Sequence, residues 1–294
     1  MRRAAAPISM SRSTADAQRR IAYQGQAGAY SHLACREAYP DWEPLACQSF
    51  EDVFAAVVGG EAGLAMIPIE NSLAGRVADI HHLLPDSGLS VVGEHFQRVR
   101  HHLLAPQGAT LEGLKRVYSH VQALSQCRKV IRDLNLQSVK HADTAGAAAD
   151  VAKRGDRAEA AIASALAGEI HGLASLRSHI EDVLGNTTRF IVMARHRIDP
   201  DPKAGPTIAS FVYQVRNLPG ALYKSLGGFA TNGVNLTKLE SYIDASFVTA
   251  QFYAEIEGHP ADRAVDRAFE ELKYFSTTFK ILGVYPAHRF RREG

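Results

Sequence analysis

The sequence predicts an α/β protein of two unequal parts: strands alternating with helices over residues 21–197, then a βαββαβ unit over 207–286. Three observations carry that prediction. In the first part, apolar runs repeatedly end in short Gly/Ser/Thr/Asn turns and open into helical patterns, as parallel strand–helix layers require. A polar, proline-interrupted stretch at 197–206 reads as a linker. Beyond it the pattern changes to longer strands, one of which alternates cleanly between apolar and polar positions.

The junctions of the first part follow in order. The run 21–25 is expected as the first strand, with a turn over Gln26–Tyr30 and a helix begun by Ser31. The run 63–70 leads through a turn at Asn71–Gly75 into a helix reaching His82. The run 116–119 precedes a helix carrying Leu124, Ile131 and Leu134, in which Ser119 is placed as the cap. A weaker case is 138–143, leading into Thr144 and an alanine-rich helix. Asn186–Arg189 precedes a strand over Phe190–Met193.

In the second part a strand over 207–216 leads to a helix opened by Pro219-Gly220. Strand 234–243 meets strand 247–257 through a turn at Asp244-Ala245-Ser246. On the latter strand Phe252, Ala254 and Ile256 oppose Gln251, Tyr253 and Glu255, a pattern expected of a sheet with one face buried. A helix over 260–276 with Val265, Phe269, Leu272 and Phe275 on one face, and a strand over 278–285, close the unit. The basic tail after Pro286 is expected to be loose. Residues 1–20 hold five arginines and one acid, Asp16, without a secretory h-region, and read as a disordered leader.

Composition narrows the function classes. The net charge of +2 with mixed signs gives no footprint for nucleic acid or an acidic membrane. No apolar run approaches the roughly 20 residues needed to span a bilayer. Three cysteines without metal-type spacing suit a reducing, cytoplasmic compartment, and Cys127 falls on an apolar helical stripe as an inert buried thiol. The Gly25/Gly28 turn lacks the third glycine of a dinucleotide loop and no phosphate-binding GxxxxGK[ST] occurs, so no nucleotide cofactor is expected. The pairs His81-His82 and His101-His102 suggest metal, but adjacent side chains diverge and no carboxylate has ligand spacing, so no metal is expected.

The turns at strand ends bring unpaired helix amides to one edge of a parallel sheet, an arrangement suited to a small molecule with anionic groups. Glu70 ends an apolar strand where capping does not require it. It either pairs with Arg76 or Arg189 or holds a proton for chemistry. Gln122 and Gln126 sit one turn apart, as neutral amides suited to a hydroxyl or a carboxylate. Thr187, Thr188, Arg189 and Phe190 join hydroxyls, a guanidinium and an aromatic ring at the mouth of a strand.

Taken together and in this order, IPIENSLAG (67–75), VYSHVQALSQC (117–127), DTAGAA (143–148) and NTTRF (186–190) resemble prephenate dehydratases. The segment 217–241 resembles the ACT domain that follows in that family. The resemblance implies a two-lobed, periplasmic-binding-protein-like catalytic domain over 21–197, with lobe boundaries near 95 and 180, and an ACT regulatory domain over 207–286. It implies conversion of prephenate to phenylpyruvate without a cofactor, feedback control by phenylalanine, and a homodimer or homotetramer. By matching positions, Thr188, Glu70, Asn71, Ser119 and Gln126 are the catalytic set. Arg189, Phe190, Ser72, Thr144, Ser31 and Gln122 would bind substrate. Asn217, Gly220, Ala221 and Leu222, with Glu240 and Ser241, would bind phenylalanine.

Two departures stand out: Val121 where many members have proline, and Tyr242-Ile243 after Glu240-Ser241 where many have Arg-Pro. Arogenate dehydratase is the nearest rival, followed by a non-enzymatic solute- or effector-binding protein. A fused chorismate mutase would need a helical extension before Ile21, and a dehydrogenase would need the dinucleotide loop.

Overall fold

Ile21, Ala22 and Tyr23 are removed from water at the centre of β1 (Arg20–Gln24), and the rest of the first lobe is laid on either side of it. The computed structural model describes residues 19–77, 80–243 and 250–293. Nearly all of the expected leader, and the turn at 244–246 with the start of the strand after it, lie outside the described residues.

The first lobe continues with α1 (Tyr30–Ala38), β2 (Glu43–Cys47), α2 (Phe50–Val58), β3 (Leu64–Asn71), β4 (Gly75–Arg76), α3 (Ile80–Leu83) and β5 (Ser90–Arg98). Ser49 and Asp52 close a reciprocal capping box on α2, which fixes where that helix begins. The chain then crosses to a second lobe of β6 (His102–Ala105), β7 (Arg116–Ser119), α4 (Val121–Gln126), α5 (Arg128–Asp133) and β8 (Gln137–Lys140). This lobe is completed by α6 (Thr144–Arg154), β9 (Glu159–Ala163), α7 (Ala165–His171) and β10 (Ala174–Ser178). It returns as β11 (Thr187–Ala194), which inserts between β3 and β5 of the first lobe. The two crossings pair with each other, Val99 N–H donating to Asn186 and Ile180 N–H to His101, so the lobes are joined by a short two-stranded hinge.

Each sheet is mixed rather than purely parallel. In the first, of order β2-β1-β3-β11-β5, β1 runs parallel to β2 and β3 while β11 is antiparallel to both neighbours. In the second, of order β10-β6-β9-β7-β8, only β7, β8 and β9 are parallel. Returning strands that cross between lobes come back antiparallel, which local patterns do not reveal. The expected junction at Asn71–Gly75 is likewise a hairpin, with Glu70 opposite Arg76, and not a strand–helix turn. Gly75 at φ 81° makes the reversal. The helix expected after β7 is broken at Cys127, which is buried between α4 and α5.

A third unit follows: β12 (Thr207–Val215), α8 (Ala221–Thr231), β13 (Leu236–Ile243), β14 (Ala250–Glu257), α9 (Arg263–Phe275), β15 (Ser276–Pro286) and the terminal turn α10 (Phe290–Glu293). Its sheet order β13-β14-β12-β15 is the split βαββαβ arrangement. One face packs Phe211, Tyr213, Phe252, Ile256, Phe269 and Leu272 beneath α8 and α9. The other face is buried too. Ile208, Val212, Tyr253, Leu282 and Tyr285 join Val91, Ile191 and Met193 of the first lobe in one core. The polar face expected in water is therefore an interdomain contact, and Glu255 on it is fully buried. The expected loose tail is also fixed: Phe290 stacks on Phe96 at 4.6 Å, and Arg291 reaches Glu94 at 2.7 Å.

Candidate functional site

Between the lobes lies a cleft of about 550 Å³, lined from the first lobe by Gln24, Asn71, Arg76 and Thr188 and from the second by His120, Gln122, Gln126 and Thr144. Tyr30, His101 and Asn186 close it at the hinge. The hairpin after β3 holds Asn71: its Oδ1 accepts from the amides of Leu73 (3.0 Å) and Ala74 (2.9 Å). Because that oxygen is committed, Asn71 Nδ2 faces Asn186 Oδ1 at 2.7 Å and Thr188 Oγ1 at 2.9 Å as donor.

The assignment propagates. Asn186 Nδ2 donates to Gln126 Oε1 at 3.0 Å, so the same oxygen, 3.0 Å from His101 Nε2, requires the proton on that ring nitrogen. His101 Nδ1 in turn meets the Tyr30 hydroxyl at 2.9 Å, and that hydroxyl also lies 2.7 Å from the Arg100 carbonyl. Backbone amides of one hairpin thus orient a chain of side chains across both lobes. Burial pushes the His101 imidazole below its ordinary pKa, against the opposing effects of Gln126 and Glu181.

Several residues expected at this site face elsewhere. Side chains alternate along a strand, so the neighbours of Asn71 and Thr188 point to the opposite face of the sheet. Arg189 is buried there, donating from Nε to Glu94 at 2.8 Å, from Nη1 to Glu70 at 2.9 Å, and from Nη2 to Glu255 at 2.9 Å. Glu70 also accepts from Lys238 at 2.6 Å. Burial raises the Glu70 pKa, but the hydrogen bond and charge of Lys238, with Arg189, outweigh it and hold the carboxyl below its ordinary value. An ionised, doubly paired carboxylate facing away from the cleft is not a proton source for it. Arg189 likewise binds the third unit and not a cleft ligand.

Ser119 is fully buried, its hydroxyl donating to the Ile162 carbonyl at 2.6 Å, and the cap of α4 is His120, whose ring accepts from the Gln122 amide. Phe190 is core, packed with Ile21, Tyr23 and Met66. Ser72 supports the cleft indirectly, its hydroxyl accepting from the Thr187 amide at 3.0 Å. Ser31 lines an adjoining cavity that shares Gln24 and Thr144 with the cleft.

The match to a model of known families decides the affiliation: residues 21–198, which comprise both lobes, match the family described as "PDT: Prephenate dehydratase". The chain belongs to the prephenate dehydratase family. A bifunctional N-acyl-homoserine lactone acylase/prephenate dehydratase of Komagataeibacter europaeus is 50% identical over 94% of this chain and 99% of its own length. Arogenate dehydratase 2 of Petunia hybrida is 39% identical over 91% of this chain and 72% of its own. The crystal structure of prephenate dehydratase from Arthrobacter aurescens in complex with L-Phe superposes with a TM-score of 0.83 at 29% identity, covering 91% of this chain and 89% of that one.

Against this family background, the cleft holds residues that sequence reasoning passed over. Asn186, His101 and Tyr30 carry the hydrogen-bond chain, and Arg76, whose guanidinium reaches Ser241 of the third unit, also lines the cleft. Asn186 stood inside the NTTRF motif and Arg76 beside the Glu-Asn-Ser turn, so both were within reach. His101 was hidden because a doublet of histidines draws attention to metal before hydrogen bonding. Among the described residues no cluster of three or more His, Cys, Asp or Glu is placed to hold a metal ion.

In the third unit, Asn217 and Gly220–Leu222 form the entry to α8, and Gly220 is left-handed at φ 71° without a side-chain cap. Glu240 and Ser241 stand at the same end of the sheet on β13, with β14 between. Arg76 lies 3.8 Å from the Glu240 carboxylate and donates to the Ser241 carbonyl at 3.2 Å.

Proposed function

We propose that the protein converts prephenate to phenylpyruvate in the interlobe cleft, and that the βαββαβ unit is an ACT-type sensor for phenylalanine. The observation that supports this most directly is the set of fixed polar side chains around Thr188. Its oxygen accepts from Asn71, which leaves its own proton to donate into the cleft. Prephenate loses its ring carboxylate as carbon dioxide while the ring hydroxyl departs. The C–C bonding pair enters the ring, the C–O pair leaves with oxygen, and a proton delivered to that oxygen releases water. Aromatisation drives both bond cleavages, so the protein supplies orientation and a donor to the departing oxygen. Thr188 is that donor, and the side-chain amides of Gln122 and Gln126 hold the carboxylates.

The lining also favours prephenate over arogenate. The two substrates differ by a keto or an ammonium group on the side chain, and no carboxylate lines the cleft among the described residues. Asp143, in the adjoining cavity, is committed to the Gly146 amide at 2.6 Å. A buried ammonium without an anionic partner is costly. Turnover of purified protein with each substrate tests this: kcat/KM for prephenate should exceed that for arogenate by about tenfold or more. No phenylpyruvate formed from prephenate would end the proposal. Acylase activity finds less support, since Cys35 and Cys127 are buried with thiols pushed up by burial, and the bond to Thr188 comes from an amide, which is no base.

The sensor reading rests on the uncapped start of α8, whose amides suit a carboxylate, and on a solved relative that holds L-Phe. Glu240 and Ser241 touch Arg76, a lining residue of the cleft, so an effector there has a short path to substrate. Calorimetry of the full chain should show phenylalanine binding and, reciprocally, a changed substrate affinity. No binding at millimolar phenylalanine would remove the sensor.

A further inference from the structure

Behind the hinge, on the far side of Tyr30 from the substrate cleft, lies a second cavity of about 550 Å³. All three units contribute to it. Arg98 comes from the end of β5, Arg100 from the crossing, His102 and His179 from the second lobe, and His288 and Arg289 from the tail. Among the described residues its one lining carboxylate is Glu37, already engaged by Gln97 Nε2 at 3.2 Å and lying 3.8 Å from His95. No ion pair to Arg98, Arg100 or Arg289 occurs among the described residues, so three guanidinium charges face the space against one occupied acid.

The walls that carry these charges are built rather than loose. Phe290 is stacked on Phe96, and the Arg98 guanidinium lies over the Phe290 ring at 5.5 Å. The neighbouring Arg291 anchors the tail through Glu94 and Glu255, at 2.7 and 3.2 Å. His102 is held below its ordinary pKa first by burial and then by the charges of His179, His101 and Arg100, with Glu181 opposing. Like charges gathered in one cavity repel, and a bound anion relieves that repulsion while accepting forked hydrogen bonds from arginine. The volume is that of a small-molecule site.

We propose that this cavity binds a small molecule bearing two or more carboxylate or phosphate groups, at a site separate from the substrate cleft. Calorimetry on the full chain at low ionic strength, with inorganic pyrophosphate and with citrate as probes, distinguishes phosphate from carboxylate ligands. At least one probe should bind with one site per chain. Arg100→Gln/Arg289→Gln should weaken it about tenfold or more. Arg76→Gln, which alters the substrate cleft, should leave it unchanged, and Arg100→Lys/Arg289→Lys should retain part of the affinity and report on folding. Neither probe binding, or binding lost in Arg76→Gln and kept in the Arg100/Arg289 glutamine variant, overturns the proposal.

Discussion

At Thr188 the hydroxyl oxygen takes a hydrogen bond from Asn71 while the residue itself stays half-exposed at the cleft. A donor positioned at a developing negative charge is worth on the order of 100-fold to 1000-fold in rate. Thr188→Ala should lower kcat with prephenate by that range, and Thr188→Ser, which keeps the hydroxyl, by about tenfold or less. Equal kcat in all three proteins would take Thr188 out of the reaction. Asn186 touches no substrate in this reading and orients both Asn71 and Gln126 from a buried position. Asn186→Ala should lower kcat by roughly 10-fold to 100-fold, the size of effect that supporting residues have on the groups they hold. An unchanged pH profile beside that fall would distinguish loss of orientation from loss of a titrating group. Asn71, Gln126 and Thr188, expected together from their motifs, line one cleft. Glu70 and Arg189 belong to the same motifs but face the third unit. Strand alternation shows that Glu70 and Asn71 point to opposite faces, but not which face meets the cleft.

The elements β3 and β11 carry a different task on each face. Toward the lobes they present Asn71 and Thr188; away from them they present Glu70 and Arg189, which join Glu94, Glu255, Lys238 and Arg291 in a largely buried network of ion pairs. Tyr285 also accepts from Arg189 at 3.1 Å. Removing one partner of such a network leaves the others buried and uncompensated, typically at a cost of about 3–5 kcal/mol. Arg189→Met should destabilise the protein by that amount in urea unfolding, whereas Arg20→Met, which breaks a partly exposed pair with Glu43, should cost less than about 1 kcal/mol. Equal losses would show that the network contributes no more than a surface pair. The alternation of β14 separates its two faces, and on local pattern alone the polar one is expected in water. Local periodicity gives two faces and cannot show that a second domain covers one of them.

For the whole molecule, the same charges set how stability responds to acid. Glu255 is fully buried; burial raises its pKa, but Arg189 and the Tyr253 hydroxyl, 2.5 Å away, outweigh it and hold the carboxyl below its ordinary value. Glu70 is shifted the same way. A carboxyl depressed by folding contributes stability above its unfolded pKa and loses it as pH falls through the folded value, because the unfolded chain takes up protons first. The buried ring of His101 adds to this from higher pH: its pKa is lowered from 6.5, so the unfolded chain again binds more protons below that value. The signs agree. Thermal scans should show Tm falling from about pH 6.5 downward and more steeply below the ordinary carboxylate range. Since Glu70, Glu255 and Arg189 bind the third unit to the first lobe, that loss should first appear as separation of the two. Near-ultraviolet circular dichroism, which reads Tyr253 and Tyr285 at the contact, should therefore change before the far-ultraviolet signal does. Coincident loss of both signals at every pH would show that the domains unfold as one unit and that acid does not act at their interface.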